Sequence, residues 1–463
     1  MSAGLQRRIR KWLGAERSCT CSRTHAVGTR LVRLDDDGGD VVTATASEIT
    51  SGRAAVVVAD ETTVTRFGRS VASALGEAGF AVTEHVVAPA GGKAVIPDEA
   101  AVGSVGKALE EAGGDLLVGC GSGTINDLCK YAASERGLPY LCCPTAASMN
   151  GYTSAIAALK REGLKVTLPV KVPVAIVGNP SVWATAPAVM SAAGLADLLS
   201  KYTSGADWRL AAIIEGSYYC NRPAELAHVS CEEAIAVVDR IGAGEPEALG
   251  TLMEALILSG IAMAIAGSSS PASGAEHLIS HYWDMTDPVT GDNRYHGTQV
   301  GIGVLLCATL YEMLAEVDPG TIDAGAMAGA AIDPEQLQDD LYDHFDTLAD
   351  PVIDQALQKV LTPEGAQKRA AAIAAAWPRI RDEVLPSVPP AETLRDLLRR
   401  AGAPTTAAEL GVTDRQVVDA VRWSRHLRAR YTVFDLAAEI GWFSEERQAG
   451  LIRRSGVLGR DPR

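Results

Sequence analysis

Three of the eight histidines in this 463-residue chain, His277, His281 and His296, lie within twenty positions of one another. His277 and His281 are four residues apart, in a segment entered through residues 270–273 (Ser-Pro-Ala-Ser), whose residue types favour a helix start. That spacing puts both imidazoles on one helical face, one turn apart. Turn-forming residues between 287 and 293 allow the chain to bring His296 back beside them. Because neutral imidazole is the commonest protein metal ligand, the cluster predicts a divalent-metal site. The alternative, two helix-surface histidines and a capping one, is left open by spacing alone.

A second stretch, residues 116–131, joins a strand, a glycine-rich turn and a helix start. Glycines let the backbone approach a pyrophosphate closely, and the N–H groups at a helix start favour its negative charge. The glycine spacing is G-x-G-x-G, whereas the usual dinucleotide fingerprint is G-x-G-x-x-G, and the lysine of a P-loop is absent. Taken alone, the stretch therefore fits a tight turn at a strand end as well as a phosphate-binding loop.

Two further features favour a dinucleotide. Asp60 ends an earlier predicted strand and could hold the adenosine ribose, and a second loop, residues 144–154, also follows a strand and offers hydroxyl groups. Ligands of open α/β sheets bind beyond the carboxyl ends of the strands, where these features must lie. The sequence thus predicts NAD or NADP binding, with NAD preferred because a carboxylate at Asp60 would repel a 2′-phosphate. The predicted cofactor-binding residues are Asp60, Gly121, Ser122, Gly123, Thr124, Ile125, Asp127, Thr145, Ser148 and Ser154.

The segments around these loops alternate between strand and helix up to about residue 180. Strands are predicted at 54–60, 81–87, 115–119, 138–144 and within 166–178, and helices at 64–78 and 98–112. Such alternation indicates a parallel sheet with helices on both faces, as in Rossmann-like nucleotide-binding domains. From Pro187 onwards nearly every segment is predicted to be helical. We therefore expect an α/β domain at residues 1–182 and an all-α domain at residues 183–463.

Composition limits the functional classes. Hydrophobic residues make up 47% of the chain and charged residues 21%, and the formal net charge of -15 argues against partners such as nucleic acid or anionic membranes. The longest apolar run, 255–267, is too short to span a bilayer, so it predicts a buried helix and no integral membrane segment. The nine scattered cysteines predict reduced thiols in a cytoplasmic protein.

Cys19, Cys21 and His25 form a small cluster of soft metal ligands near the start of the chain. A tetrahedral zinc site needs four ligands, and the sequence offers no second cluster to complete one. We therefore expect this segment to be an edge of the first domain, with a structural zinc as the alternative.

Five motifs, taken in order, resemble those of sn-glycerol-1-phosphate dehydrogenases, which belong to the superfamily of iron-containing alcohol dehydrogenases and dehydroquinate synthases. The similarity extends from about residue 25 to 310, and residues 428–436 look like the C-terminal segment of the bacterial members. The five motifs are residues 121–127, 144–151, 194–201, 274–281 and 296–301.

The resemblance implies a nucleotide-binding α/β domain, a helical domain and an active site in the cleft between them. It also implies that Asp197 joins His277 and His296 in holding one divalent metal ion (zinc, nickel or iron), while His281 and Asp197 act in catalysis and meet the substrate. The implied reaction interconverts dihydroxyacetone phosphate and sn-glycerol 1-phosphate with NAD or NADP. The expected partner is a small phosphorylated triose or polyol, and the expected assembly is a homo-oligomer, specifically a dimer.

Asn150 departs from this family pattern, which commonly has an acidic residue that contacts the substrate. Asparagine can donate to a carbonyl or hydroxyl oxygen but lacks the carboxylate charge, so we expect Asn150 to contact substrate in a different way. The alternatives are a carbocycle-forming lyase of the dehydroquinate-synthase type, a dehydrogenase of another small polyol or ketone, and a nucleotide-binding protein without catalysis.

Overall fold

The computed structural model describes residues 2–34, 38–89, 94–161, 164–286, 295–329 and 332–459. The chain divides into two units, one formed by Met1–Leu198 with Glu225–Ser269 and the other by Leu199–Ala224 with Ser270–Arg463. The expected domain boundary near residue 182 stays a prediction. The turn-forming residues at 287–293 lie outside the described residues.

The first unit is built on a six-stranded parallel sheet, in which the strand order is β3-β10-β7-β6-β4-β5. Two antiparallel pairs, β1 with β2 and β8 with β9, lie outside this sheet. The strands are β1 (Glu16–Ser18), β2 (Thr24–Ala26), β3 (Leu31–Arg33), β4 (Ala54–Asp60), β5 (Ala81–Val87), β6 (Leu116–Gly121), β7 (Tyr140–Pro144), β8 (Ile156–Arg161), β9 (Leu164–Pro169) and β10 (Ala175–Val177). The predicted α/β parallel sheet is therefore confirmed.

The central strands are buried along their length, which explains their runs of apolar residues. In β4 the five residues from Ala55 to Ala59 are buried, and in β6 every residue is. A strand covered on both faces loses the alternation of polar and apolar residues that marks a half-exposed strand. The chain turns to opposite sides of β4, to β5 and then to β6, so the carboxyl ends of β4 and β6 flank a topological switch point.

The predicted strand region at 166–178 divides between two sheets. Its first part is β9, which forms a hairpin with β8, and its last part is β10, which joins the main sheet. Pro173 lies between the two, and a proline cannot donate to a strand ladder.

The helices of the first unit cover the sheet and extend beyond it, and α8 continues into the second unit. They are α1 (Ala3–Trp12), α2 (Gly38–Ile49), α3 (Glu61–Thr63), α4 (Arg69–Glu77), α5 (Glu99–Ala112), α6 (Gly123–Arg136), α7 (Pro180–Trp183), α8 (Ala188–Glu215), α9 (Asn221–Ile235), α10 (Val238–Gly242) and α11 (Pro246–Ala266), with a π-helical turn at Val64–Gly68 and a 3-10 turn at Gly151–Thr153.

The described part of the second unit is helical and contains no strand, as predicted for the C-terminal part of the chain. Its helices are α12 (Ala275–Thr286), α13 (His296–Ala315), α14 (Ala324–Gly329), α15 (Pro334–Phe345), α16 (Ala349–Leu357), α17 (Pro363–Arg379), α18 (Ala391–Arg400), α19 (Asp414–Trp423), α20 (Val433–Glu439) and α21 (Glu445–Ser455). Short helical turns lie at Pro319–Thr321, Asp346–Leu348, Ile380–Val384, Leu385–Ser387, Ala408–Leu410 and Ser424–His426.

Among the residues that the structure describes, two helices, α11 and α13, are long and apolar enough to cross a membrane by length and composition alone, with mean hydropathies of 1.9 and 1.4. Of the most apolar window in each helix, 94% and 89% respectively is buried inside the protein. Burial of this extent is the pattern of core helices. It confirms the buried helix predicted at 255–267.

Candidate active site

The glycine turn connects β6 directly to α6, as the sequence predicts. β6 ends at Gly121 and α6 begins at Gly123, with Ser122 at the N-cap position and no side-chain bond capping the helix. The N–H groups of the first helical turn, which includes Thr124 and Ile125, lack partners within the helix and carry its positive dipole end. This helix start has the polarity that a pyrophosphate requires.

The two glycines at the turn serve different purposes. A Cβ atom at Gly121 would lie 2.5 Å from the Cβ atom of Ile125, so packing alone demands glycine there. A Cβ atom at Gly123 would meet nothing closer than Met149, at the ordinary contact distance of 3.5 Å. The fold therefore has room for a side chain at Gly123. A glycine at this position instead leaves space for a ligand to approach the backbone.

The second loop, residues 144–154, is bonded closely to the first. The Thr145 N–H donates to the Gly121 carbonyl over 3.1 Å, and Ser148 Oγ lies 3.5 Å from Tyr152 Oη. Ser154 Oγ donates to the Gly151 carbonyl over 3.0 Å. The predicted contacts of these hydroxyl groups with a cofactor stay predictions, and their observed bonds hold the loop together.

Lys130 organises this loop from α6, a role that the sequence analysis missed. Its ammonium group is fully buried and donates to the carbonyls of Gly151 and Ile156, over 2.8 and 2.5 Å. The Asp127 carboxylate lies 3.0 Å from this ammonium group and also accepts from the Ala158 N–H over 3.0 Å. Both oxygens of Asp127 thus have protein partners, and its predicted cofactor contact stays a prediction. The three-residue spacing of Asp127 and Lys130 was the available signal for this pair.

Asp60 lies at the carboxyl end of β4, where the sequence analysis places it, and caps the short helix α3. Its Oδ1 atom accepts from the N–H groups of Thr62 and Thr63, over 2.9 and 2.7 Å. One carboxylate oxygen therefore has a structural use, and the ribose contact stays a prediction.

Asn150 and Asp197 form a buried polar pair of the first unit beside these loops. The Asn150 main-chain N–H donates to one Asp197 oxygen over 2.9 Å, and the side-chain amide donates to the other over 3.0 Å. Asp197 is fully buried and Asn150 nearly so. Because each carboxylate oxygen has two lone pairs, these two bonds fix the orientation of the group and leave it able to bind a cation. The structure thus gives Asn150 a positioning task that the sequence analysis missed, and its substrate contact stays a prediction.

The three histidines come together in the second unit. His277 and His281 project from α12, and His296 is the first residue of α13. The ring centroids of His277 and His296 are 5.1 Å apart, and the His281 ring stacks on that of His296 at 6.1 Å. One ring nitrogen of His277 and one of His296 lie within 4.8 Å of each other, close enough to bind the same ion.

Each of the paired imidazoles has a partner at Nδ1. Glu276 Oε1 lies 2.8 Å from His277 Nδ1, and Ser280 Oγ lies 3.2 Å from His296 Nδ1. A hydrogen bond at Nδ1 fixes the tautomer and directs the Nε2 lone pair away from it, as is usual for metal-binding histidines. The donor set of this cluster therefore suits a divalent ion.

Glu276 is the second residue that the sequence analysis missed, although it lies beside His277 in the chain. It is fully buried, and it accepts from Thr203 Oγ1 over 2.7 Å and from the Gly274 N–H over 2.6 Å. Burial alone would raise the pKa of this carboxyl, but the bond and charge of His277 together with these donors lower the pKa below its ordinary value. Glu276 is consequently a carboxylate built to hold an imidazole.

Asp207 anchors the start of α12 from the second-unit part of α8. Its carboxylate accepts from the main-chain N–H groups of Ala275 and Val433, each over 2.8 Å, and from Tyr311 Oη over 2.6 Å. Burial, reinforced by the charge of Glu276, raises the pKa of Asp207 to about 7. The helices that carry the histidines are therefore joined through one buried acid.

Comparisons with known proteins agree with this arrangement. Residues 41–187 match the family model of iron-containing alcohol dehydrogenases. A glycerol-1-phosphate dehydrogenase [NAD(P)+] from Bacillus velezensis is 31% identical over 390 residues, which cover 81% of this chain and 83% of the relative. The enzyme of the same name from Thermococcus sibiricus is 35% identical over 268 residues, 53% of this chain and 75% of the relative. The enzyme of that name from Bacillus licheniformis is 28% identical over 457 residues, which cover 98% of this chain and 96% of the relative.

Solved structures share the fold at lower identity. A probable glycerol dehydrogenase from Sinorhizobium meliloti aligns with a TM-score of 0.62 at 18% identity, over 94% of this chain and all of that one. A 1,3-propanediol oxidoreductase aligns with a TM-score of 0.57 at 16% identity, over 93% of this chain and 99% of that one.

Proposed function

This chain belongs to the glycerol-1-phosphate dehydrogenases of the iron-containing alcohol dehydrogenase family, and we infer from that membership that it is an NAD(P)-dependent oxidoreductase. The reaction is the interconversion of dihydroxyacetone phosphate and sn-glycerol 1-phosphate. The observation that carries this assignment is the identity of at least 31% to enzymes of that name over most of their length.

We propose that Asp197, His277 and His296 hold one divalent ion. Support for Asp197 comes from α8, which is continuous from the first unit into the second. Thr203, six residues after Asp197 on this helix, donates to Glu276, the neighbour of His277. Six helical residues span about 9 Å, so the helix itself keeps Asp197 in the neighbourhood of the histidines. One carboxylate and two imidazoles accept zinc, nickel or iron, and the donor set does not choose among them.

A divalent ion held there would polarise the substrate carbonyl, and the nicotinamide would supply the hydride. Asn150 keeps the Asp197 carboxylate in one orientation, and Glu276 does the same for the His277 ring. His281, stacked beside His296 and partly exposed, would position the substrate and pass a proton from solvent. The start of α6, open at Gly123, would receive the pyrophosphate of the cofactor.

The test is a reductase assay on the purified full-length chain with dihydroxyacetone phosphate and NADH or NADPH, after loading with zinc, nickel or iron. The expected result is a net loss of reduced nicotinamide, which a lyase of the dehydroquinate-synthase type would not show. Replacing Asp197, His277 or His296 with alanine should remove one divalent ion per chain and abolish turnover. The matched control is His228→Ala, because His228 is exposed on α9 and serves neither site.

Two results would contradict the proposal. If wild-type protein ignores dihydroxyacetone phosphate but reduces another small ketone, the named substrate is wrong and the family membership stands. If the His277→Ala protein retains full activity in chelator, the ligand set is wrong.

A further inference from the structure

The N-terminal hairpin gathers three soft metal ligands in the first unit. Strands β1 and β2 are joined by a turn in which the Cys19 N–H donates to the Arg23 carbonyl over 3.0 Å. Ser22 adopts the left-handed conformation, with φ of 65°, and its N–H donates back to the Cys19 carbonyl. This tight turn brings one ligand atom each from Cys19, Cys21 and His25 within 4.8 Å of one another.

The distances match those within a zinc coordination shell. Zinc binds thiolate sulfur at about 2.3 Å and imidazole nitrogen at about 2.05 Å, so tetrahedral geometry sets sulfur and nitrogen about 3.6 Å apart. Cys21 Sγ lies 3.4 Å from His25 Nε2. A hydrogen bond between the same atoms would have a similar length, so a second observation has to decide between the two.

That observation is the environment of the His25 ring. Its Nδ1 atom lies 2.8 Å from the Ile265 carbonyl of α11, which can only accept, so Nδ1 carries the proton. The Nε2 lone pair is then directed at the sulfur of Cys21, where it can accept from the thiol or bind an ion shared with that sulfur. The nitrogen–carbonyl contact on the far side is the usual support of a metal-binding histidine, and the ligand atom of Cys19, within 4.8 Å of both, favours the shared ion. The ring is buried and lies edge-on to Trp12, which closes the site on one side.

The packing of α1 on α9 points to a fourth ligand. Ser2, at the start of α1, donates to Glu233, and Arg8, two turns later, pairs with Glu225, so the two helices run antiparallel. Extending both by one more turn leads from Arg8 to Trp12 and from Glu225 to the residue that precedes α9, which is Cys220. Cys220 is buried at the start of this helix.

We propose that Cys19, Cys21, His25 and Cys220 bind a structural zinc ion, separate from the ion of the active site. Three thiolates and one imidazole form a complete tetrahedral set of the structural kind, with no position left for a substrate. Soft sulfur ligands select zinc over the hard divalent cations. Three thiolates and one zinc ion leave one net negative charge, and the same hairpin carries two cations, Arg17 and Arg23. The ion would fasten a hairpin too short to be stable alone.

Cobalt substitution tests this site, because the active-site ion has no sulfur ligand and only the proposed site can give a thiolate-to-cobalt charge-transfer band. Wild-type full-length protein reconstituted with Co²⁺ should show this band, and His277→Ala protein should retain it. The Cys19→Ser/Cys21→Ser double variant should lose it together with one metal equivalent per chain. Cys220→Ser should lower its intensity by roughly a third, for one of three thiolates. Cys231→Ser, which removes a buried thiol from the same helix α9, should leave it unchanged.

A measurement on wild-type protein guards against variants that fail to fold. Zinc-loaded protein treated with an organomercurial reagent should release one zinc ion per chain to a colorimetric indicator. Absence of both that release and the charge-transfer band in wild-type protein would overturn the proposal. A full-intensity band in Cys220→Ser would overturn the four-ligand set.

Discussion

Replacing Asn150 with leucine should loosen the Asp197 carboxylate without replacing any of the proposed metal ligands. The substitution removes the 3.0 Å bond from the side-chain amide and retains the 2.9 Å bond from the main-chain N–H. A hydrogen bond to a charged group contributes about 1.5 to 3 kcal/mol. If the carboxylate needs that bond to face the ion, divalent-metal affinity should fall roughly 10- to 150-fold.

Replacing Asn150 with aspartate separates the positioning task from substrate binding. The new carboxylate would lie about 3 Å from Asp197, where two like charges repel by up to about 5 kcal/mol at an effective dielectric constant of about 20. The metal-free Asn150→Asp protein should therefore unfold at a lower temperature than the leucine variant. If Asn150 instead served mainly a substrate hydroxyl, aspartate could replace it and leucine would raise KM.

The assay combines the metal dissociation constant, from chelator competition, with kcat, KM and Tm for each variant. Asn126→Leu is the matched control, because it removes a buried amide of the same unit that bonds Tyr140, Cys142 and the Asp127 carboxylate rather than Asp197. It should lower Tm without changing metal affinity. Wild-type metal affinity in the Asn150→Leu protein, together with a raised KM, would refute the positioning argument.

Three further outcomes are expected. Gly123→Val should weaken NADH binding while the fold and the bound metal persist. The control, Gly103→Val, lies at an exposed site on α5 with open space and should leave NADH binding unchanged. Wild-type NADH affinity in the Gly123→Val protein would refute the assignment of this turn as a phosphate-binding loop. Glu276→Gln should lower metal affinity roughly 10- to 100-fold, because it removes the negative charge that makes His277 a stronger ligand while an amide oxygen still accepts from Nδ1. An unchanged affinity would mean that this charge does not support the metal site. Burial raises the pKa of Asp207 to about 7, so the folded state binds this proton more tightly than the unfolded state does. The free energy of unfolding should therefore fall as pH rises from about 4 to 7. Urea titrations of the Asp207→Asn protein should show a weaker dependence on pH over that range.

Much of the first unit could be predicted because its signals are local. The strands at 54–60 and 81–87 match the structure residue for residue, since apolar runs between turn residues leave little freedom of assignment. The hairpin of β8 and β9 was missed, because a short antiparallel pair outside the main sheet has no periodicity that distinguishes it from the strand that follows.

The sequence predicts the candidate metal ligands but not the residues that hold those ligands in place by hydrogen bonds. Histidine spacing and family motifs are visible along the chain, whereas the partners of those residues come from distant segments. Asn150 and Asp197 are 47 positions apart, and Thr203 and Glu276 are 73 apart. Buried hydrogen bonds over such separations depend on the tertiary fold, so no local pattern reveals them.

The charges of Asp197 and Glu276 explain why an uncharged residue is favourable at position 150. In the proposed ligand set, the ion carries two positive charges, Asp197 supplies one negative charge, and Glu276 supplies a second through His277. Those charges balance, so a third carboxylate beside Asp197 would leave a buried net negative charge, which is costly in a low-dielectric interior. Asparagine provides the same hydrogen-bond donor without that charge, and it leaves the ion a stronger attractor for the substrate oxygen. The departure at Asn150 is therefore compatible with the carbonyl chemistry of the family, and its consequences should appear in metal affinity before they appear in substrate choice.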